Sequence, residues 1–213
     1  MMQTINKTIK FLIFSDFFLL FSIGLLSPIL AVFVLDHVEN SMEVVGYAVA
    51  CYWVARVFMV IPFSWLMDRT KGELDEYSFM VLGTFFIAFI PLLYMVASEP
   101  WHLYLIQIFN GFANAMAVPA WRVLFTNHID KDFIGFEWSL EDVGIGIATA
   151  ASAAFGAIIA DRFGFTMLFG IMSFFALMSS LILFLLGRSE KFNFRDLIRN
   201  RQNRAPFKLD SMK

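Results

Sequence analysis

"SWLMDRTKGELDEY", residues 64–77, begins as the end of an apolar run and closes as one of the most charged patches of the chain, with Asp68, Arg69, Lys71, Glu73, Asp75 and Glu76 in one short turn. The runs on either side, 44–67 and 78–97, hold very few charges. Each suits a helix crossing a hydrocarbon core, which takes about 20 apolar residues because every backbone N–H and C=O must be bonded within the segment. Working outward, four further runs of this kind occur, at 11–35, 101–126, 143–160 and 163–187. The turns "DHVENSME" (36–43), "SEPW" (98–101) and "NHIDKDF" (127–133) are too short for a soluble domain. With 59% hydrophobic and 16% charged residues and 27 Phe among 213 residues, water is not the main solvent. The expected fold class is therefore an all-α membrane protein with six transmembrane helices over residues 1–187 and a basic tail at 188–213. The first run is too long for a signal-peptide core, so the N-terminus is read as retained.

Lys and Arg near span ends favour the cytoplasmic side. The tail carries eight of them, Arg188, Lys191, Arg195, Arg199, Arg201, Arg204, Lys208 and Lys213. Six alternating spans put Lys7, Lys10, Arg69, Lys71 and Lys131 on that same face and only Arg162 on the other. Both termini and the 64–77 turn are thus expected in the cytoplasm. The tail, with Phe192, Phe194, Leu197 and Ile198 interleaved, suits an interfacial helix on anionic lipid rather than a nucleic-acid site.

Six helices with both ends inside and a second turn reading "SWLMDRTKG" resemble one half of a major facilitator superfamily transporter. In that family the cytoplasmic turn after helix two reads approximately G-x-L-x-D-R-x-G-R-K. Leu66, Asp68 and Arg69 match in position, Ser64 replaces the first glycine, and Lys71 and Gly72 resemble the later Gly-Arg pair in reversed order. Further similarity lies in Gly24 and Pro28 of helix one, in Gly111, Ala115 and Pro119 of helix four, in a small-residue helix five, and in a "DRFGF" turn into a Phe-rich helix six. The resemblance implies that Asp68 and Arg69 form a cytoplasmic latch against another half. Read without it, the turn is a solvated loop whose basic residues set topology. Three departures stand out. Gln107 occupies the place where many proton-coupled members carry Arg, helix five lacks the proline of antiporters, and the family's usual twelve helices are here six. The first two point away from drug/proton antiport.

A charge at mid-membrane costs about 2.5–3.5 kcal/mol on insertion scales, so an isolated one is a functional candidate. Arg56 sits near the centre of helix two. It reads as a substrate-binding group for an anionic or zwitterionic solute, or as a structural partner to an acid. Asp16 and Arg122 lie at similar depth on helices one and four, where a pair would either remake during transport or staple the bundle. Glu141 and Asp142, just before helix five, favour its positive N-terminal end and compete for Arg122. Gln107, Asn110 and Asn114 fall on one face of helix four and must point inward, either to substrate or to neighbouring helices. Gly144, Ala148, Ser152, Gly156 and Ala160 recur every four residues, a small-xxx-small groove that serves either as a homodimer seam or as packing against helix one or two.

The single cysteine, Cys51, excludes an intrachain disulfide and a Cys-based metal site. The three His, at 37, 102 and 128, lie near span ends on different turns. No metal, no cofactor and no enzyme activity are expected. Two functions remain. One is a secondary transporter of a small solute in the cytoplasmic membrane of a prokaryote, working by alternating access as a homodimer or with a second six-helix half. The other is a non-transporting scaffold or truncated transporter remnant.

Overall fold

A computed structural model describes residues 5–69 and 73–189. Every regular element among them is helical. In chain order these are α1 (Lys7–Leu26), a 3-10 turn (Ser27–Ile29), α2 (Leu30–His37), α3 (Met42–Met67), α4 (Leu74–Tyr94), α5 (Pro100–His128) and α6 (Ile134–Ser189). Five helices are long and apolar enough to cross a bilayer: Lys7–His37 taken through its 3-10 turn, Met42–Met67, Leu74–Tyr94, Pro100–His128 and Ile134–Arg188.

The local breaks follow from residue chemistry. Pro28 lacks an N–H and opens the 3-10 turn between α1 and α2. Pro62, Pro91 and Pro119 remain inside helices, which packed neighbours tolerate in a membrane bundle. α6 would be about 80 Å long if straight, far beyond a hydrocarbon core of about 30 Å. It is broken at Gly164, whose φ of 79° is the left-handed region that side chains disfavour.

Contacts on either side of Gly164 run in opposite directions along α1. In the arm 134–163, Glu141 neighbours Asp16 and Gly156 meets Leu25. In the arm 165–189, Phe165 and Phe169 pack on Phe33 of α2 at ring separations of 5.2 and 5.0 Å. Farther along, Ser22 Oγ donates to the Met172 carbonyl at 2.7 Å, and Leu183 and Leu186 join Ile9 and Leu12 in one apolar cluster. α6 is therefore a hairpin whose two arms flank α1. Residues 134 and 189 come to the same end of the bundle as residue 7.

Polar bonds tie that end together. Asn6 Nδ2 donates to the His128 carbonyl at 3.3 Å, Asn127 Nδ2 donates to Glu73 Oε1 at 2.9 Å, and His128 Nε2 lies 3.5 Å from Glu73 Oε2. Lys7, Lys10, Arg69 and Lys131 belong to this end and Arg162 to the other. Arg188 lies over the Phe184 ring, whereas Lys71 and the basic residues after Arg188 lie outside the described residues.

α6 begins at Ile134, nine residues before the apolar run at 143–160. Two contacts draw the polar stretch "IGFEWSLED" into the helix. Trp138 packs on Phe125 with ring centroids 4.6 Å apart, and Glu137 Oε2 accepts from the Asp130 N–H at 3.0 Å. Glu141 and Asp142 are consequently two turns inside a helix and not at its positive end.

The core is mostly aliphatic and aromatic, in clusters around Phe33, Phe169 and Tyr94 at one end and Phe125, Met67 and Met80 at the other. The outside is apolar as well, as a surface facing lipid must be. α3 is the least enclosed helix: 17% of its most apolar window is buried, against 50% for α4 and α5. Val57, Phe58 and Ile61 are more than half exposed on it.

Candidate functional site

Three amides of α5 line up inside the bundle. Asn114 Nδ2 donates to Asn110 Oδ1 at 2.9 Å and to the Asn110 carbonyl at 3.0 Å, and Asn110 Nδ2 donates to Gln107 Oε1 at 3.5 Å. Gln107 and Asn114 are buried. Their spacing on a 3.6-residue helix produces this ladder directly. Gln107 and Asn110 also wall a cavity of about 320 Å³. Its floor includes buried Tyr94, and its mouth lies between exposed Ile23 and Ser27 of the first span and Val49 of α3. Ser22, Ser27, Tyr94, Gln107 and Asn110 give the wall hydrogen-bonding groups, and no charged side chain lines it among the described residues. Such a wall suits a small solute with donors and acceptors.

Arg56 is not part of that wall. The Arg56 backbone N–H lies beside Gly111 on α5, at the level of the amides. Its side chain turns back along its own helix instead. Nη1 donates to Tyr52 Oη at 3.2 Å, and the guanidinium sits 5.1 Å from the Trp53 ring centre and 6.0 Å from that of Tyr52. The expected union of Arg56 with Gln107, Asn110 and Asn114 is corrected accordingly: aromatic faces three and four residues back offer a cation–π seat that needs no acid.

The second polar region joins α1, α5 and the first arm of α6. Glu141, 3% exposed, neighbours Asp16. Neither Glu141 oxygen has a donor. Arg122 is exposed on α5 and close enough to attract Asp16, without closing an ion pair. The expected Asp16–Arg122 pair is thus replaced by an acid–acid contact. Its cause is helix packing, since α1 approaches α6 more closely than α5 at this level. Asp142 faces outward.

That approach uses the small-residue ladder. Ala148 and Ser152 are fully buried. Ser152 faces Gly24, and a side chain at Gly156 would run into the Leu25 carbonyl. Gly144 faces Ile13. The reading of Gly144, Ala148, Ser152, Gly156 and Ala160 as a dimer seam is corrected: the groove is filled by α1 of the same chain. The opposite side of this arm exposes Val143, Ile147, Phe155 and Ile158.

At the 64–77 turn, Asp68 is the C-terminal cap of α3, its N–H donating to the Ser64 carbonyl at 3.0 Å. Arg69 lies 3.3 Å over the centre of the Trp65 ring. Both residues are exposed, and Lys71 and Gly72 lie outside the described residues. Sequence reasoning missed Ser22, Ser27 and Tyr94 as cavity groups, although a hydroxyl in an apolar run was the available signal. It also missed the Glu73–Asn127–His128 cluster, whose members are far apart in sequence.

The family model described as Major Facilitator Superfamily matches residues 12–209. An uncharacterized MFS-type transporter of Methanocaldococcus jannaschii is 23% identical over 181 residues, which is 85% of this chain and 46% of that relative. The POT family transporter PepTSo superposes with a TM-score of 0.71 at 16% identity, over 88% of this chain and 38% of that one. The chain spans less than half the length of either protein.

Proposed function

Because this chain belongs to the Major Facilitator Superfamily, we propose that it forms one half of a secondary transporter, working with a second six-helix unit that is either another copy or a separate half. The reading has the chain crossing the bilayer six times, α6 contributing two crossings through its turn at Gly164. Both termini lie in the cytoplasm, an orientation supported by the basic residues gathered at one end. The archaeal relative supports a prokaryotic cytoplasmic membrane as the location.

The observation that carries the proposal is the cavity of Gln107 and Asn110. It opens between α1 and α3, on a side of the bundle where α3 is little covered by its own chain. A second half seated there would close the mouth and enclose a solute between the two units, and rocking of the halves would expose it to alternate sides. The neutral wall favours a small uncharged or zwitterionic solute held by hydrogen bonds. Asp68 and Arg69 would meet the partner as a cytoplasmic latch that is weak enough to open in each cycle, a carboxylate at a helix N-terminus being worth about 0.3–1 kcal/mol.

Crosslinking tests the arrangement. A Val57→Cys variant of a Cys51→Ser background, oxidised in native membranes, yields a linked pair of chains or a link to a second six-helix protein. A strict monomer, in membranes and in nanodiscs, contradicts the half-transporter reading. Where a pair forms, solute uptake by proteoliposomes separates a transporter from a scaffold.

A further inference from the structure

The amide ladder of α5 has a direction. The nitrogen and oxygen of an amide are alike in shape, so a neighbour of known chemistry has to tell them apart. One does so here: the Asn110 backbone carbonyl, which only accepts, lies 3.0 Å from a side-chain atom of Asn114 and makes that atom Nδ2. The Asn110 side-chain atom 2.9 Å from the same Nδ2 is then the oxygen. Asn110 is left to donate through its own Nδ2, which makes the Gln107 atom 3.5 Å away Oε1. All the protons of the ladder thus point toward Gln107, whose Nε2 meets no acceptor among the described residues.

At that end lies the solute cavity. Gln107 is 5% exposed and lines it, which leaves the cavity as the place where its two N–H groups find an acceptor. A separate group on α4 agrees. Tyr94 is 4% exposed and packs on the rings of Phe33 and Phe169, yet its hydroxyl has no hydrogen-bond partner among the described residues, and it lines the same cavity. Ser22 differs, because its Oγ already donates to the Met172 carbonyl. Buried donors left without acceptors are costly, and amides aligned in a chain polarise one another.

We propose that the cavity recognises the carbonyl group of a neutral solute, which accepts from Gln107 Nε2 and from the Tyr94 hydroxyl. A carboxylate suits it less, since no charged side chain lines the wall among the described residues to offset its burial. Asn114, which belongs to the ladder but not to the wall, is a positioning residue: by anchoring on the Asn110 carbonyl it sets which face Gln107 presents. The inference names the solute class of the transport reading and rests on that reading only for the solute's being carried.

The test reads binding and not transport. Its probes are three neutral aromatic solutes of similar size: benzamide and acetophenone, which carry a carbonyl, and indole, which offers an N–H and no carbonyl. On the purified full chain in nanodiscs, with empty nanodiscs subtracted, equilibrium dialysis should show both carbonyl compounds bound about tenfold more tightly than indole. The infrared carbonyl band of bound acetophenone should move to lower frequency. Gln107→Met should abolish the preference, and Tyr94→Phe should reduce the frequency shift. Asn114→Leu keeps Gln107 but frees the amides to turn over, so indole should gain while acetophenone loses. Equal binding of indole and acetophenone by the wild type, or binding of none of the three, overturns the proposal. An Asn114→Leu chain that melts like the wild type and keeps the full preference overturns the positioning role. A chain with the predicted preference that moves no solute upholds the inference and contradicts the transport reading, whereas uptake confined to solutes without a carbonyl does the reverse.

Discussion

Arg56 on α3 and Glu141 on α6 are both ionisable residues in spans that hold few charges, yet the fold treats them oppositely. Arg56 sits on the least covered helix and finds its partners in its own preceding turn, in Tyr52 and Trp53. Glu141 is buried against another helix and finds only an acid. The cost of a charge in a membrane helix therefore does not by itself identify a functional residue. What matters is whether neighbours satisfy it.

Three substitutions sharpen this contrast. The largest effect belongs to Gly156→Leu, because the Leu25 carbonyl occupies the space a side chain would need. Overpacking of that kind costs about 3 kcal/mol or more where backbone must move. The variant should fail to purify as a single species and should separate Glu141 from Asp16. Size-exclusion profiles and thermal unfolding check this.

Glu141→Gln should act less strongly and in the opposite direction. Neither Glu141 oxygen has a partner, whereas an amide brings two N–H donors to the side that faces the Asp16 carboxyl. The variant should therefore be more stable than the wild type by about 1–3 kcal/mol, the usual cost of an unsatisfied buried polar group. A lower melting temperature in nanodiscs would show that the carboxyl is satisfied after all.

Arg56→Ala should have the smallest effect, about 0.5–1 kcal/mol from lost cation–π contact. Arg56→Lys should recover part of it. A loss of several kcal/mol would mean that Arg56 pairs with an acid after all.

Much of the helical frame is legible in the sequence, because hydrocarbon demands length and internal backbone bonding and leaves few alternatives. The amide ladder is legible for the same reason, since Gln107, Asn110 and Asn114 cannot face lipid. Three other features were not. The start of α6 at Ile134 depends on Trp138 finding Phe125 and on Glu137 reaching the Asp130 N–H, contacts that no hydropathy run reveals. The Asp16–Glu141 contact runs against charge-pairing logic, which favours Arg122. It follows from how closely Gly24 and Gly156 let α1 and α6 approach. That same approach fills the small-residue ladder, and so decides for packing against helix one over the external seam that the spacing equally allowed. The charged turn at 64–77 was read for its residues, and within the described chain Asp68 caps α3 while Arg69 lies over Trp65.

Solute uptake by proteoliposomes, compared between Gln107→Leu/Asn110→Leu and Arg56→Ala at equal protein content, tests the central claim most directly. The cavity account predicts at least a tenfold loss in the double variant, equivalent to about 1.4 kcal/mol, with Arg56→Ala keeping most of the wild-type rate. Full uptake by the double variant with none by Arg56→Ala would contradict it and return the binding site to Arg56.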